Sequence, residues 1–200
     1  MDVRDALRQR RMVRSFDATP VDETWLRDTC AEALRSPTAG NTAGVRMAIV
    51  PSEHVGAYFT VATDEQWREN ARRAPGLMRC GAVVLVTSRP SDYTARYGEE
   101  DKAASGLDDE DNWTVPYWHA DAAMATMSLL LLIEEAGLKA TIWGNFRHED
   151  EVLRWAGLVD EALFCTVLLG TPDGNDVTSA SLQRDVLPRE QRVRVVRPTS

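Results

Sequence analysis

Four arginines gather near the start of the chain, where RQRRMVRSF places Arg8, Arg10, Arg11 and Arg14 within seven residues of a protein whose formal net charge is −8. Guanidinium groups bind phosphate bidentately, so cations clustered where a helix ends suit a doubly negative phosphate. On charge alone there is a plainer account, in which they complement a helix C-terminus on a solvated face. A second stretch, Pro37-Thr38-Ala39-Gly40-Asn41, offers free backbone N–H groups, a hydroxyl and a carboxamide. Those groups suit the polar edge of a flat heterocycle, and equally an ordinary turn. A third, Ile142-Trp143-Gly144-Asn145, sits where a strand should end. Its glycine permits close backbone approach to a ligand face, or simply marks the turn.

Other constellations carry less chemistry. His54, His119 and His148 are scattered without the spacing of metal ligands. Cys30, Cys80 and Cys165 are odd in number, form no CxxC pair and lie in apolar surroundings, the pattern of buried free thiols. The run Asp108-Asp109-Glu110-Asp111 lacks the spacing of a calcium loop and reads as a solvated segment. Neither a dinucleotide-binding GxGxxG nor a phosphate-binding GxxxxGK[ST] is present. Tyr93, Tyr97, Trp113, Tyr117 and Trp118 cluster in sequence; they either stack on an aromatic ligand or pack their own segment down.

The elements that must position these residues are legible in the hydrophobic pattern. A first helix is predicted over Val3–Arg10, and a second, capped by Asp22, runs to about Arg35 with Leu26, Cys30, Ala33 and Leu34 on one face. Arg46–Val50 reads as a strand, 52–63 and 64–74 as helical, and Ala82–Val86 as a strand covered on both faces. Residues 91–114 read as a charged, irregular excursion, the profile of a lid. Tyr117–Ala136 is the longest predicted helix, apolar nearly all round from Ala122 to Ile133, and Gly137 stops it. Lys139–Trp143 is a short strand, His148–Ala156 a helix and Ala162–Leu169 another apolar strand. A polar arm, 171–200, then carries Arg184, Arg189, Arg192, Arg194 and Arg197. Two hundred residues suit one domain. A domain of that size rarely surrounds an all-apolar helix by itself, so a second subunit is expected to supply the missing wall. The acidic balance argues against a general nucleic-acid or anionic-membrane binder. Met1-Asp2-Val3-Arg4 opens no apolar signal core, and a cytoplasmic protein is expected.

Taken in order, the three motifs resemble the FMN-dependent nitroreductase family. RRMVRSF is similar to its N-terminal Arg-Arg-Ser-x-Arg-x-Phe signature, and SPTAGNTAGVRMAIV to its Ala-Pro-Ser-x-x-Asn-x-Gln-Pro-Trp stretch. PYWHADAAMATMSLLLLIEEAGL followed by KATIWGNF resembles its central helix, strand and flavin-facing turn, and VLRWAGL before the last strand fits as well. The resemblance spans about Val3 to Gly170. It implies an α+β fold: a mixed, mainly antiparallel sheet flanked by helices, a long buried central helix, and an intertwined homodimer with FMN at the interface. It implies that Arg10 contacts the FMN phosphate, that Arg11 and Met12 pack near the phosphate and ribityl chain, and that Arg14 sits near N1 and O2 of the ring. Pro37, Thr38, Ala39 and Asn41 would reach the flavin from the other subunit, and the Gly144 N–H would face N5 with Ile142 and Trp143 beside it. Arg184 and Arg189 are the candidates to complete the phosphate site. NADH or NADPH would serve as transient reductant, alternating in a ping-pong cycle with a nitroaromatic, quinone or similar electron-poor acceptor. Two alternatives stay open: an oxygen-dependent flavin oxidase or flavin-cleaving relative, and a flavin-binding protein without catalysis. Three departures bear on the site. Met12 replaces the signature serine and removes a hydroxyl, Ala43-Gly44-Val45 stand where Gln, Pro and Trp are common, and 91–114 has no counterpart in the pattern.

Overall fold

The computed structural model of the chain describes residues 1–145 and 147–197; Phe146, within the quoted turn motif, and the last three residues of the arm lie outside them. Four strands form one antiparallel sheet in the order β1 (Val45–Val50), β2 (Ala82–Ser88), β4 (Ala162–Gly170), β3 (Lys139–Trp143). Every residue of β2 is buried. The reason is the packing on both faces, since an unbroken apolar run is stable only where neither side meets water. One face carries Ala82, Val84, Val86, Val167 and Leu169 against α2 (Glu23–Ala33) and α7 (Tyr117–Glu135). The other carries Val83, Leu85 and Leu168 against α3 (Val55–Ala62), α5 (Ala74–Leu77) and α8 (Glu149–Ala156).

The first helix, α1, covers Val3–Gln9, and the Asp2 carboxylate caps it by accepting from the Arg4 N–H. In α2 the Asp22 cap accepts from the Trp25 N–H at 2.7 Å, as expected from the sequence. Leu26, Cys30 and Ala33 are buried there, whereas Leu34, predicted on the same face, follows the last helical residue and is exposed. Between β1 and β2 the chain makes α3, α4 (Glu65–Asn70) and α5.

The segment read as irregular begins with a helix. Here α6 (Pro90–Tyr97) starts on a proline, whose fixed φ suits a first helical turn, and short 3-10 turns follow at Ala103–Ser105 and Glu110–Asn112. The long helix α7 buries Ala122, Ala125, Leu129, Leu130 and Ile133. Its centre is not covered on every side within one chain: Met124 and Ala123 are exposed and Met127 and Leu131 half-buried. No described helix is long and apolar enough to cross a membrane.

The three thiols are buried, and burial pushes those of Cys30 and Cys80 up to about 12 and that of Cys165 up to about 11. Neutral, enclosed thiols are poor nucleophiles. A thiol-reactive disulfide dye at pH 8 is therefore expected to leave the folded protein unlabelled and to label all three cysteines after denaturation. Rapid labelling of any one in the native state would contradict the packing.

Candidate functional site

The arginine segment between α1 and α2 has no helix or strand of its own and is held along the sheet by backbone bonds. Met12 bridges Ala140 in parallel, beside the antiparallel sheet, and the Val13 N–H donates to the Ala140 carbonyl at 3.1 Å. The Phe16 N–H donates to Gly76, the Asp17 N–H to Thr171 and the Ala18 N–H to Arg79, while the Phe16 ring is fully buried. From the far end of the chain, Asp176 accepts the Arg14 N–H at 2.9 Å and Asp173 accepts the Ser15 hydroxyl at 2.8 Å.

These contacts leave a cavity of about 460 Å³, with Arg10, Arg11, Met12 and Arg14 on one wall and Asp176, Thr178, Ser179, Ser181 and Leu182 on the other. The four arginines have separate fates. Arg8 pairs with Asp5 on the helix surface at 3.7 Å. Arg11 folds back so that its Nη1 donates to the Arg8 and Arg10 carbonyls at 2.6 and 3.0 Å, the helix-end role that charge alone suggests. Arg10 differs: its Nε and Nη1 are buried and find no acceptor among the described residues. Arg14 stands at a junction, for it also lines a second cavity of about 500 Å³ with Arg72, Arg73, Trp67 and Trp143.

Trp143, near the end of β3, joins an aromatic stack. Its ring lies 5.4 Å from Trp67 and 5.3 Å from Phe59, stacked at interplanar angles of 25° and 29°. Beyond it, Gly144 and Asn145 line a cavity of about 240 Å³ with Thr63, Asp64, Arg147 and His148, and the same two indoles close it. Ile142 is exposed. Asn145 is buried; its Oδ1 accepts the Tyr58 hydroxyl at 3.1 Å, and its Nδ2 has no partner among the described residues.

The 37–41 bend lies elsewhere in the chain, where Thr38 and Ala43 line a separate cavity of about 150 Å³ with Leu34, Ser36 and Asp121. That cavity shares no residue with those lined by Arg10, Arg14 or Gly144. Pro37 and Asn41 are exposed, and the Ala39 N–H donates to the buried Asp121 carboxylate at 2.8 Å. Of the residues predicted from the motifs, the structure thus brings Arg10, Arg11, Met12, Arg14, Trp143 and Gly144 to one connected region, and sets Pro37, Thr38, Ala39 and Asn41 apart. Arg184 and Arg189 are exposed and do not line the Arg10 cavity; the hydroxyl residues Thr178, Ser179 and Ser181 stand there instead. Trp67, Arg72 and Arg73 join the region without having been singled out, whereas Asn145 belongs to the quoted Ile142–Asn145 motif but was given no role. The adjacent Arg72-Arg73 pair was a visible signal, but nothing in its spacing tied it to Arg14.

Asp173 anchors the turn that starts this far wall. Donation from the Asn175 N–H, the Ser15 hydroxyl and the nearby Arg79 hold its carboxyl below the usual range. A lowered carboxyl stabilises the fold above its ordinary range and loses that contribution as pH falls through its folded value. The arm beyond Asp173 is expected to become protease-sensitive below about pH 4, before the sheet unfolds, with limited digestion by an acid-active protease as the measurement.

No curated protein matches the sequence. Among solved structures, the nitroreductase CinD from Lactococcus lactis in complex with chloramphenicol is similar at 17% identity and a TM-score of 0.69, over 94% of this chain and 100% of that one. Its complex with 4-nitrophenol gives 16% identity and a TM-score of 0.70 over the same shares of 94% and 100%. A nitroreductase from Exiguobacterium sibiricum 255-15 in complex with FMN gives 16% identity and a TM-score of 0.70, over 98% of both chains. At such identities the likeness shows the fold. The nitroreductase family model matches residues 7–171, most of the chain, and the protein belongs to that family.

Proposed function

We propose that this protein is an FMN-dependent oxidoreductase that uses NADH or NADPH to reduce electron-poor acceptors such as nitroaromatics and quinones, and that it works as a homodimer in the cytoplasm. The observation that carries this reading is Arg10. Two buried guanidinium nitrogens without acceptors among the described residues are costly unless a ligand answers them, and they line a cavity where a phosphate fits. The opposite wall supplies the hydroxyl residues Thr178, Ser179 and Ser181, which suit the remaining phosphate oxygens and replace the hydroxyl lost at Met12.

Bound FMN would supply a centre that takes and returns two electrons, the chemistry no side chain of this chain provides. Arg10 would hold the phosphate, with Arg11 and Met12 packing beside it. Arg14, lining both large cavities, would place a fixed cation beside the ring's pyrimidine edge and stabilise negative charge there. The Gly144 N–H would serve as a backbone donor, with Trp143 and Ile142 next to it. The Pro37, Thr38, Ala39 and Asn41 bend has no route to Arg10 within one chain, so it would meet FMN as part of a second copy. The open strip of Ala123, Met124, Met127 and Leu131 on α7 would be covered by that copy. Arg184 and Arg189 would reach a phosphate only with the arm repositioned by the partner. Reductant and acceptor would take turns at one open face, held by the indole pair of Trp67 and Trp143. That the L. lactis neighbour was solved with 4-nitrophenol and chloramphenicol supports a small aromatic acceptor.

The test is the visible spectrum of protein reconstituted with FMN, before and after NADH or NADPH. The expected result is a flavin band that bleaches with nucleotide and returns with a quinone. A bound band that neither nucleotide bleaches would favour the non-catalytic binder, turnover only with oxygen the oxidase or flavin-cleaving reading, and no bound flavin would remove the proposal. Within the same assay Arg14→Ala is expected to slow reduction by about tenfold or more, with the dimer unchanged on size-exclusion chromatography. Equal rates would take Arg14 out of the mechanism.

A further inference from the structure

The bend that leads into β1 is built from unfavourable backbone. Gly40, Asn41 and Ala43 have φ of +62°, +55° and +53°, the left-handed region that an alanine avoids. Such geometry persists only where surrounding structure imposes it. Here the imposing structure is α6 and the turns after it, the segment without a counterpart in the family signature.

Three contacts converge. The Arg96 Nε donates to the Gly40 carbonyl at 2.9 Å, while Nη1 and Nη2 grip both oxygens of Asp101 at 2.6 and 2.8 Å, which fixes the guanidinium plane. Tyr93 is fully buried, and its hydroxyl donates to Asp121 Oδ2 at 2.9 Å. The same oxygen accepts the Ala39 N–H at 2.8 Å, so a residue of α7 ties the bend to α6. The rings of Tyr97 and Tyr93 lie so near Gly40 and Gly44 that a Cβ there would come within 2.8 and 2.4 Å of them. Trp113 packs edge-on to Tyr97 at 4.8 Å and donates from Nε1 to the Leu107 carbonyl at 2.9 Å, which closes the turns over the helix. The aromatic residues of this segment therefore pack on one another and on the bend.

We propose that residues 90–116 are a fixed clamp on the bend, with Tyr93, Arg96 and Asp121 as positioning residues that hold the Thr38–Asn41 backbone in the one shape it offers to FMN. The clamp rests on the reading that this bend contacts FMN, but its mechanical half does not. A lid would be ordered by ligand; this segment is already joined to the bend by charge-assisted and buried hydrogen bonds.

Hydrogen exchange of the 38–44 amides, measured without FMN in wild type, Tyr93→Phe and Arg96→Ala, tests the mechanical half. Exchange is expected to rise about tenfold or more in each variant, with the far-UV spectrum unchanged. FMN titration then tests the purpose: affinity is expected to fall about tenfold in both variants. Arg96→Lys is expected to restore little, since an ammonium lacks the planar fork that grips both Asp101 oxygens while a separate Nε faces the Gly40 carbonyl. Arg96 is half-buried rather than in the core, so its variants decide the matter should Tyr93→Phe fold poorly. Wild-type exchange rates in the variants would overturn the clamp, as would a 90–116 segment that exchanges freely until FMN is added. Faster exchange with unchanged FMN affinity would overturn the positioning role. Failure of the wild type to bind FMN would instead strike the proposed function, with the exchange result still deciding the clamp.

Discussion

Alanine in place of Arg10 is expected to weaken FMN binding about a hundredfold, read by the quenching of flavin fluorescence on titration. Two guanidinium nitrogens, Nε and Nη1, stand buried without acceptors among the described residues. A hydrogen bond to a charged group contributes roughly 1.5–3 kcal/mol, so losing two costs about 3 kcal/mol or more, a factor of about a hundred. The same substitution acts with the opposite sign when no cofactor is present. It removes a partly desolvated cation that no described residue answers, so the variant is expected to melt no lower than wild type without FMN. With FMN the wild type should gain stability by ligand linkage and the variant should not. Arg11→Ala is the comparison. Its Nη1 is already engaged by the Arg8 and Arg10 carbonyls, so its loss takes a charge from the cavity wall without removing an unanswered donor, and it is expected to cost about tenfold or less, well short of Arg10→Ala. A large loss in Arg11→Ala with none in Arg10→Ala would reverse the assignment.

The family resemblance drew that distinction; charge and spacing alone did not, and the reason is physical. Four arginines in seven residues announce a cation cluster, but which one is left buried without an acceptor among the described residues depends on where α1 ends and on the Met12–Ala140 bridge to a strand far along the chain. The strands were legible because burial on both faces demands unbroken apolar runs, and β2 and β4 have them. The long helix was legible for the same reason, although part of its apolar surface faces out of the single chain. Helix α6 was not. PSDYTARY has one buried residue, Tyr93, and an eight-residue helix with so little apolar surface shows no periodicity; only its leading proline hinted at a start. Trp67 was equally hidden, because its place against Trp143 is set by tertiary packing between residues far apart in sequence. The bend was read as a motif, yet what holds its shape comes from Arg96, Tyr93 and Asp121, none of which carries a local signal.

The glycines beneath the arginine segment make the second large prediction. A Cβ on Gly81 would meet the Thr19 carbonyl oxygen at 2.3 Å and the Val21 N at 3.2 Å. Gly81 cannot retreat, because its N–H is bonded to the Leu169 carbonyl at 2.8 Å and its own carbonyl accepts from Val21. Backbone must therefore move, and overpacking of this kind costs about 1–3 kcal/mol. Replacing glycine by alanine also stabilises by restricting the unfolded chain, about 0.4–1 kcal/mol, so a net loss has to exceed that gain. Gly81→Ala is expected to lower the melting temperature by several degrees, about 2–4 °C for each kcal/mol in a chain of this size. Gly76→Ala has a different target: its Cβ would press on the Arg14 carbonyl at 2.7 Å and Ser15 Cα at 3.0 Å, directly under the residue that joins the two large cavities. It should cost less stability than Gly81→Ala and more FMN affinity, since it shifts Arg14 while leaving the 17–21 backbone seated. Thermal melts and FMN titrations on the two variants separate the effects. If both melt and bind as wild type does, the arginine segment is not seated where the glycines place it, and the case for Arg10 and Arg14 as neighbours of one ligand fails with it.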